Sequence, residues 1–307
     1  MSMPVIEELR RQQMASVREK KAEQKKQWKK RFLPGVSGIL FLLLAVVLLV
    51  NIGGNRRFEV TYYRLSSEKI NTPVKFVVLS DLHSVEYGED NRELIEAVRK
   101  EEPDFIAMIG DMLNQDDGDT IVIQNLCREL KETAPIYYTL GNHEGTLMYG
   151  RQDSVALDDI LAKEDVRFLI NQTTEFQKKD TVIKIAGISN EAKGYDYWAK
   201  EKLAGFWEQE GYKLVLSHFP DLYYEKLKEA ELDLALAGHY HGGMIRIPGV
   251  GGLFHPEEGF FPEYSGGLYA LTKGTLIVSR GIGGHGWIPR VNNRPELVVI
   301  ELTQKPE

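Results

Sequence analysis

The chain has 307 residues, 43% hydrophobic and 27% charged, enough to bury a sizeable core. Its one cysteine, Cys127, excludes an internal disulfide framework and any thiolate metal cluster. The net charge of −7 is uneven: residues 1–57 carry 12 Lys/Arg against 4 Asp/Glu, leaving 26 against 41 in residues 58–307, and so acidic a body repels phosphate backbones and argues against nucleic acid as a partner.

In chain order, residues 1–31 form a basic N-terminal segment whose stretch from Glu7 to Lys30 favours a solvated or membrane-surface helix. Residues 32–55 hold no charge, and Ile39 to Val50 is apolar without a break. Those 24 residues suffice to span a hydrocarbon core, so one transmembrane anchor is expected. Lys25, Lys26, Lys29, Lys30 and Arg31 crowd its N-terminal flank, whereas Arg56, Arg57 and Arg64 follow it. That asymmetry predicts a single-pass protein of the cell membrane, with its N-terminus cytoplasmic and residues 58–307 extracytoplasmic. A cleaved signal peptide is the weaker alternative, because the n-region is long and VNIGGN offers no A-x-A-like site.

Beyond Arg57, short apolar runs alternate with amphipathic stretches such as NRELIEAVRK and IQNLCREL. The runs KFVVLSD, FIAMIGD, IYYTLGN, KLVLSH and LALAGH each end at a polar residue, the pattern of an α/β domain with a buried sheet. The later runs TVIKIAGIS, GLYALTK, TLIVSRG and ELVVIEL follow with fewer helices and are expected to build a second sheet packed on the first. Cys127, inside the second amphipathic stretch, reads as a buried structural thiol.

The strand ends carry the chemistry. In order they present Asp81 and His83, Asp111, Asn142 and His143, His218, and His239 with His241, taking in five of the seven histidines. Open α/β sheets place ligands at such carboxyl ends, so the set predicts a metal centre. Residues two apart in an extended chain point to one side, which lets Asp81 with His83, and His239 with His241, aim at a shared point. A sulfur-free N/O donor set suits Mn²⁺, Fe, Zn²⁺ or Mg²⁺, and the imidazoles favour a transition metal over a magnesium-only site; Mn²⁺ is the expected ion. His255 and His285 fall outside these blocks and are not expected as ligands.

The succession DLH, GDMLN, GNHE, LSH and GHYH, from about Val74 to Leu302, resembles the signature of the calcineurin-like metallophosphoesterases. The tail blocks GHYHGGMIRIPG, VSRGIG and PELVVIEL are similar to a membrane-associated bacterial phosphodiesterase branch that includes UDP-2,3-diacylglucosamine pyrophosphatases. The resemblance implies a four-layer α/β/β/α sandwich with two divalent metal ions between the sheets. It implies Asp81, His83 and His241 around one ion, Asn142, His218 and His239 around the other, Asp111 bridging, and His143 just outside the metals facing the leaving group or a phosphoryl oxygen. Two departures stand out: Asn114 and Glu144 occupy positions where the family often has aspartate. Altered hydrogen bonding around retained metals is therefore expected.

The implied activity is a membrane-anchored phosphoesterase that cleaves a phosphodiester or pyrophosphate by attack of a metal-bridging hydroxide. Its substrate would be a phosphorylated small molecule or a lipid-linked cell-envelope precursor. A phosphomonoesterase or phosphoprotein phosphatase is the alternative, and a non-catalytic binding protein on the same scaffold the more distant one. Arg246 and Arg280 are candidates for phosphate contacts, with surface ion pairing as the competing role. The Gly-, Phe- and Pro-rich loop IPGVGGLFHPEEGFFPEYSGG is read as either a cleft lining for an apolar group or packing over the sheet edge.

Overall fold

The computed structural model describes residues 57–116, 120–150, 154–189, 191–256, 258–284 and 289–306, with eight further residues between 18 and 42. The chain divides into units at residues 1–53 and 54–307. In the first, Arg18, Lys21, Glu23, Lys25 and Lys26 are helical and exposed, as are Gly38, Phe41 and Leu42. The rest of the expected anchor over residues 32–55 lies outside the described residues, among which no helix is long and apolar enough to cross a membrane.

The second unit is built on two six-stranded mixed sheets. The first contains β1 (Glu59–Ser67), β2 (Val74–Leu79), β3 (Phe105–Ile109), β4 (Ile136–Thr139), β5 (Arg167–Phe168) and, returning from the chain end, a strand at Glu296–Gln304. That last strand inserts between β1 and β2, parallel to the former and antiparallel to the latter. The second sheet holds β6 (Gln172–Lys178), β7 (Thr181–Ile188), β8 (Tyr212–Ser217) and β9 (Leu234–Ala237). After two short hairpins, β10 (Arg246–Ile247) with β11 (Gly251–Gly252) and β12 (Phe254–His255) with β13 (Gly259–Phe260), it is completed by β14 (Gly267–Ala270) and β15 (Thr275–Val278). The strand at the chain end is β16. The spatial orders are β1-β16-β2-β3-β4-β5 and β14-β15-β9-β8-β7-β6.

Two expectations are corrected here. KLVLS and LALA belong to the second sheet, and ELVVIEL to the first. All three runs are apolar on both faces, so hydrophobicity alone could not assign them to a layer.

Alternation along each strand makes the layers. On β2, Val74, Phe76 and Val78 point to the core between the sheets, while Val77 and Leu79 point to the outer core. On β3, Phe105, Ala107 and Ile109 face inward and Ile106 and Met108 outward. The partner sheet does likewise: Leu214 and Leu216 of β8 and Leu234 and Leu236 of β9 face inward, and Val215, Ala235 and Ala237 outward. Burying each such Val, Leu or Phe contributes about 1.5–3 kcal/mol, so a one-residue register slip, which exchanges the two faces, is strongly disfavoured.

Helices cover both outer faces. α1 (Arg92–Lys100) presents Leu94, Ile95 and Val98, and α2 (Ile121–Leu130) presents Ile123, Leu126, Cys127 and Leu130, to the first sheet. The Cys127 thiol is buried and burial pushes its pKa up, as a structural role requires. α3 (Asn142–Gly145) and α4 (Leu157–Ala162) follow on the same side, whereas α5 (Ala192–Trp198) and α6 (Asp221–Glu225) bury Tyr195, Leu222 and Tyr223 against the second sheet. The result is helix, sheet, sheet, helix.

Candidate metal centre

Sheets that face each other with parallel central strands bring their carboxyl ends to one edge, and there the polar strand-end residues meet. Asp81 and His83 follow β2, Asp111 follows β3, Asn142 and His143 open α3 after β4, His218 follows β8, and His239 and His241 follow β9. Asp81, His83, Asp111, His143, His218, His239 and His241 are all buried.

The backbone is bent to achieve this. Asp81, His83, Asp111, His239 and His241 all have positive φ, between 47° and 71°. That region is uncommon outside glycine, and its concentration at one edge marks a functional site. Glycines leave room beside them. A Cβ at Gly141 would run into the Asp111 carboxylate, and one at Gly238 into Ser80 and Asp81.

The donor atoms converge in two outer groups linked by a third, made by His83, Asp111 and His143. Asp81, His83 and His241 bring ligand atoms within 4.8 Å of one another, as do Asp111, His218 and His239. In the first group His83 Nε2 and His241 Nε2 are 3.1 Å apart, with Asp81 Oδ1 3.5 Å from the latter. In the second, His218 Nε2 lies 3.2 Å from His239 Nδ1 and 3.1 Å from Asp111 Oδ2. Asp111 Oδ2 is also 3.9 Å from His83 Nε2, which puts this carboxylate between the groups. Asn142 Oδ1 is buried and has no hydrogen-bond partner among the described residues. A buried amide oxygen left unpaired is costly, and an oxygen-seeking cation satisfies it. With histidine nitrogens converging on two points, the residues present fit two divalent ions.

Outer contacts orient the ligands. His218 Nδ1 donates to Ile109 O at 2.9 Å, which leaves Nε2 free to face Asp111. Asn114 clasps His83, with its Oδ1 3.2 Å from Nδ1 and its Nδ2 donating to the His83 carbonyl at 2.9 Å. Glu144 accepts from the backbone N–H groups of Asp111, Met112, Leu113 and Gly141 and from the Tyr138 hydroxyl. Both departures from the familiar motif thus hold ligand-bearing loops in place.

Charge is concentrated in this dry edge. Burial, and then the charge of Asp111, raise the pKa of Asp81. Burial also opposes ionisation of Asp111, but His218, His83 and His143 hold its carboxyl well below the usual range. Burial likewise opposes a charged His218, yet Asp111 beside it pushes the imidazole up to about 10. Glu144 is pushed up by burial and by Asp111. The cluster therefore favours compensating positive charge.

His143 borders both outer groups, with a ring nitrogen within 4.8 Å of ligand atoms of His83 and Asp111. Its Nδ1 accepts the Gln115 backbone N–H at 3.0 Å, so in the neutral ring Nε2 carries the proton, 3.9 Å from Asp111 Oδ2. His255 is buried with its ring 5.1 Å from that of His239, a packing contact rather than a place in either donor group. His285 lies outside the described residues. The two candidate arginines separate: Arg280 is engaged by Glu59 at 2.6 Å and Glu296 at 2.9 Å, whereas Arg246 donates to Gly242 O, next to His241, at 3.1 Å.

Arg290 and Asn293 escaped sequence reasoning. The Arg290 guanidinium is almost fully buried, donates to the carbonyls of Gly281, Gly283 and His241, and lies 3.4 Å from His241 Nδ1; burial pushes its pKa down to about 10. Asn293 Nδ2 donates to His241 O at 2.7 Å and to Met244 O. The only signal was a polar knot, RVNNR, between two apolar strands.

Fold and site together define a metal-dependent phosphohydrolase. The chain belongs to the calcineurin-like phosphoesterase family, whose model matches residues 74–243. It is 30% identical over 250 residues to Phosphodiesterase YaeI of Escherichia coli (strain K12), covering 80% of this chain and 88% of that protein. It is 26% identical over 228 residues to the uncharacterized metallophosphoesterase YkoQ of Bacillus subtilis (strain 168), covering 73% and 82%. Among solved structures, TT1561 of Thermus thermophilus aligns over 69% of this chain and 90% of its own, with a TM-score of 0.45 and 14% identity.

Proposed function

We propose that this protein is a membrane-anchored phosphodiesterase that cleaves a phosphodiester or pyrophosphate bond in a small or lipid-linked phosphorylated substrate. The observation that carries the phosphoesterase chemistry is the pair of donor groups joined through Asp111. Asp81, His83 and His241 would hold one divalent ion and Asn142, His218 and His239 the other, with the Asp111 carboxylate placed between the two groups. When bound, such ions, with Mn²⁺ the favoured candidate, would neutralise charge on phosphoryl oxygens and acidify water.

The remaining roles belong to the chain itself. Backbone turns and outer hydrogen bonds fix the donors before substrate arrives, so little reorganisation accompanies binding. His143, with its proton on Nε2, donates to the departing oxygen as the ester bond breaks. Arg246 supplies a cation beside the centre, where burial and then the neighbouring Arg280 lower its pKa. Arg280, held by two carboxylates, ties β16 to β1.

Preference for a diester is supported by the kinship with Phosphodiesterase YaeI, and the anchor by the charge-free run at residues 32–55. A lipid-linked substrate is supported by the exposed Val250, Phe260 and Phe261 on the two hairpins beyond His241. A matched pair of chromogenic substrates, bis(p-nitrophenyl) phosphate and p-nitrophenyl phosphate, tests the ester class. The diester should have the higher kcat/KM; a monoester preference would replace this reading with the phosphomonoesterase one.

A further inference from the structure

Beside Asn142 lies an open hollow of about 450 Å³, the rest of whose lining takes no part in the chemistry above. Its lining includes Asn142, Thr146, Tyr149, Trp198, Phe219 and Glu191. Tyr149 comes from a wide π-type turn at Thr146–Gly150 that continues α3, the helix carrying Asn142 and His143. Such turns concentrate at functional sites, since they re-aim a side chain without ending the helix. Trp198 closes α5, on the side of the second sheet, and Phe219 follows His218 directly.

Tyr149 is 68% exposed and Trp198 64% exposed. Scattered surface aromatics need no explanation, but these two border one hollow that opens beside a metal-centre residue. Gly145 lines the same hollow, and a Cβ there would point into open space. We propose that the hollow is a subsite for a planar ring, so that the preferred substrates are aryl or nucleoside phosphoesters. Stacking on an indole or phenol face accepts any flat ring, and the exposed Glu191 at the rim accepts hydrogen bonds from ring or sugar donors. The excess of acidic over basic residues in positions 58–307 disfavours a polynucleotide and leaves a single ring-bearing ester. The inference rests on the phosphoesterase reading for the bond cleaved, and on the hollow alone for the ring.

The test is equilibrium binding by calorimetry to the full chain in detergent, loaded with Mn²⁺, using phenylphosphonate and methylphosphonate. These probes are not hydrolysed and differ by the ring alone. Phenylphosphonate should bind about tenfold more tightly. Trp198→Ala and Tyr149→Ala should each shrink the preference towards unity with methylphosphonate affinity unchanged, while Trp198→Phe retains most of it. Equal wild-type affinities, or a preference that persists in the double alanine variant, overturn the proposal. The wild-type comparison decides the matter even where a variant fails to fold. Failure of the phosphodiesterase reading would show separately, as absence of diester turnover beside an intact ring preference.

Discussion

Glu144 shows how much one carboxylate organises at this edge. Five donors converge on it, four from the backbone of the loops that carry Asp111 and Asn142 and one from buried Tyr138. Glu144→Gln keeps the shape but turns one acceptor into a donor facing other donors. The expected cost is about 1–3 kcal/mol of stability, read as a lower thermal midpoint, together with weaker metal retention. An unchanged midpoint and metal content would show that the loops hold themselves. The Asp–x–His and His–x–His spacings and the strand-end positions of the residues that converge were legible from residue types. Hydrogen-bond partners were not, because Arg290 and Asn293 reach His241 from about fifty positions away and no local pattern announces such a contact.

At the scale of elements, β1 and β16 pair in parallel across nearly the whole length of the chain. Arg280, leaving β15, donates to Glu296 at the start of β16 and to Glu59 at the start of β1. Burial alone would raise the Glu296 carboxyl, but the Arg280 contacts hold it below its ordinary value of 4.5. A depressed folded pKa means that the contribution is complete above the unfolded value and is lost as pH falls through the folded one. Glu296→Gln should therefore lower stability by about 1–3 kcal/mol near neutrality, with the gap from wild type closing as pH falls below the ordinary carboxyl value and through the depressed folded one. A gap independent of pH, measured by urea unfolding, would mean that the charge is irrelevant there. The strands themselves were visible as apolar runs. Their distribution between sheets was not, since KLVLS, LALA and ELVVIEL are apolar on both faces and pairing across the chain decides the layer.

For the whole molecule, the sequence places a charge-free stretch ahead of an acidic body and a basic flank before it. A reporter fused after Glu307 should be active outside the cytoplasm and silent within it. Activity confined to the cytoplasm would reverse the orientation argued from the Lys/Arg asymmetry.

In the mechanism proposed above, the strand-end residues form one two-ion hydrolytic centre with Asp111 shared between the ions. The measurement that tests it most directly is metal content per chain alongside diester turnover, for the full-length protein and Asp111→Ala. About two ions per chain, turnover abolished by chelator and restored by Mn²⁺, and loss of both ions and activity in the variant is the result this account predicts. Full turnover in Asp111→Ala, or wild-type protein that binds no metal under any loading condition, would contradict it.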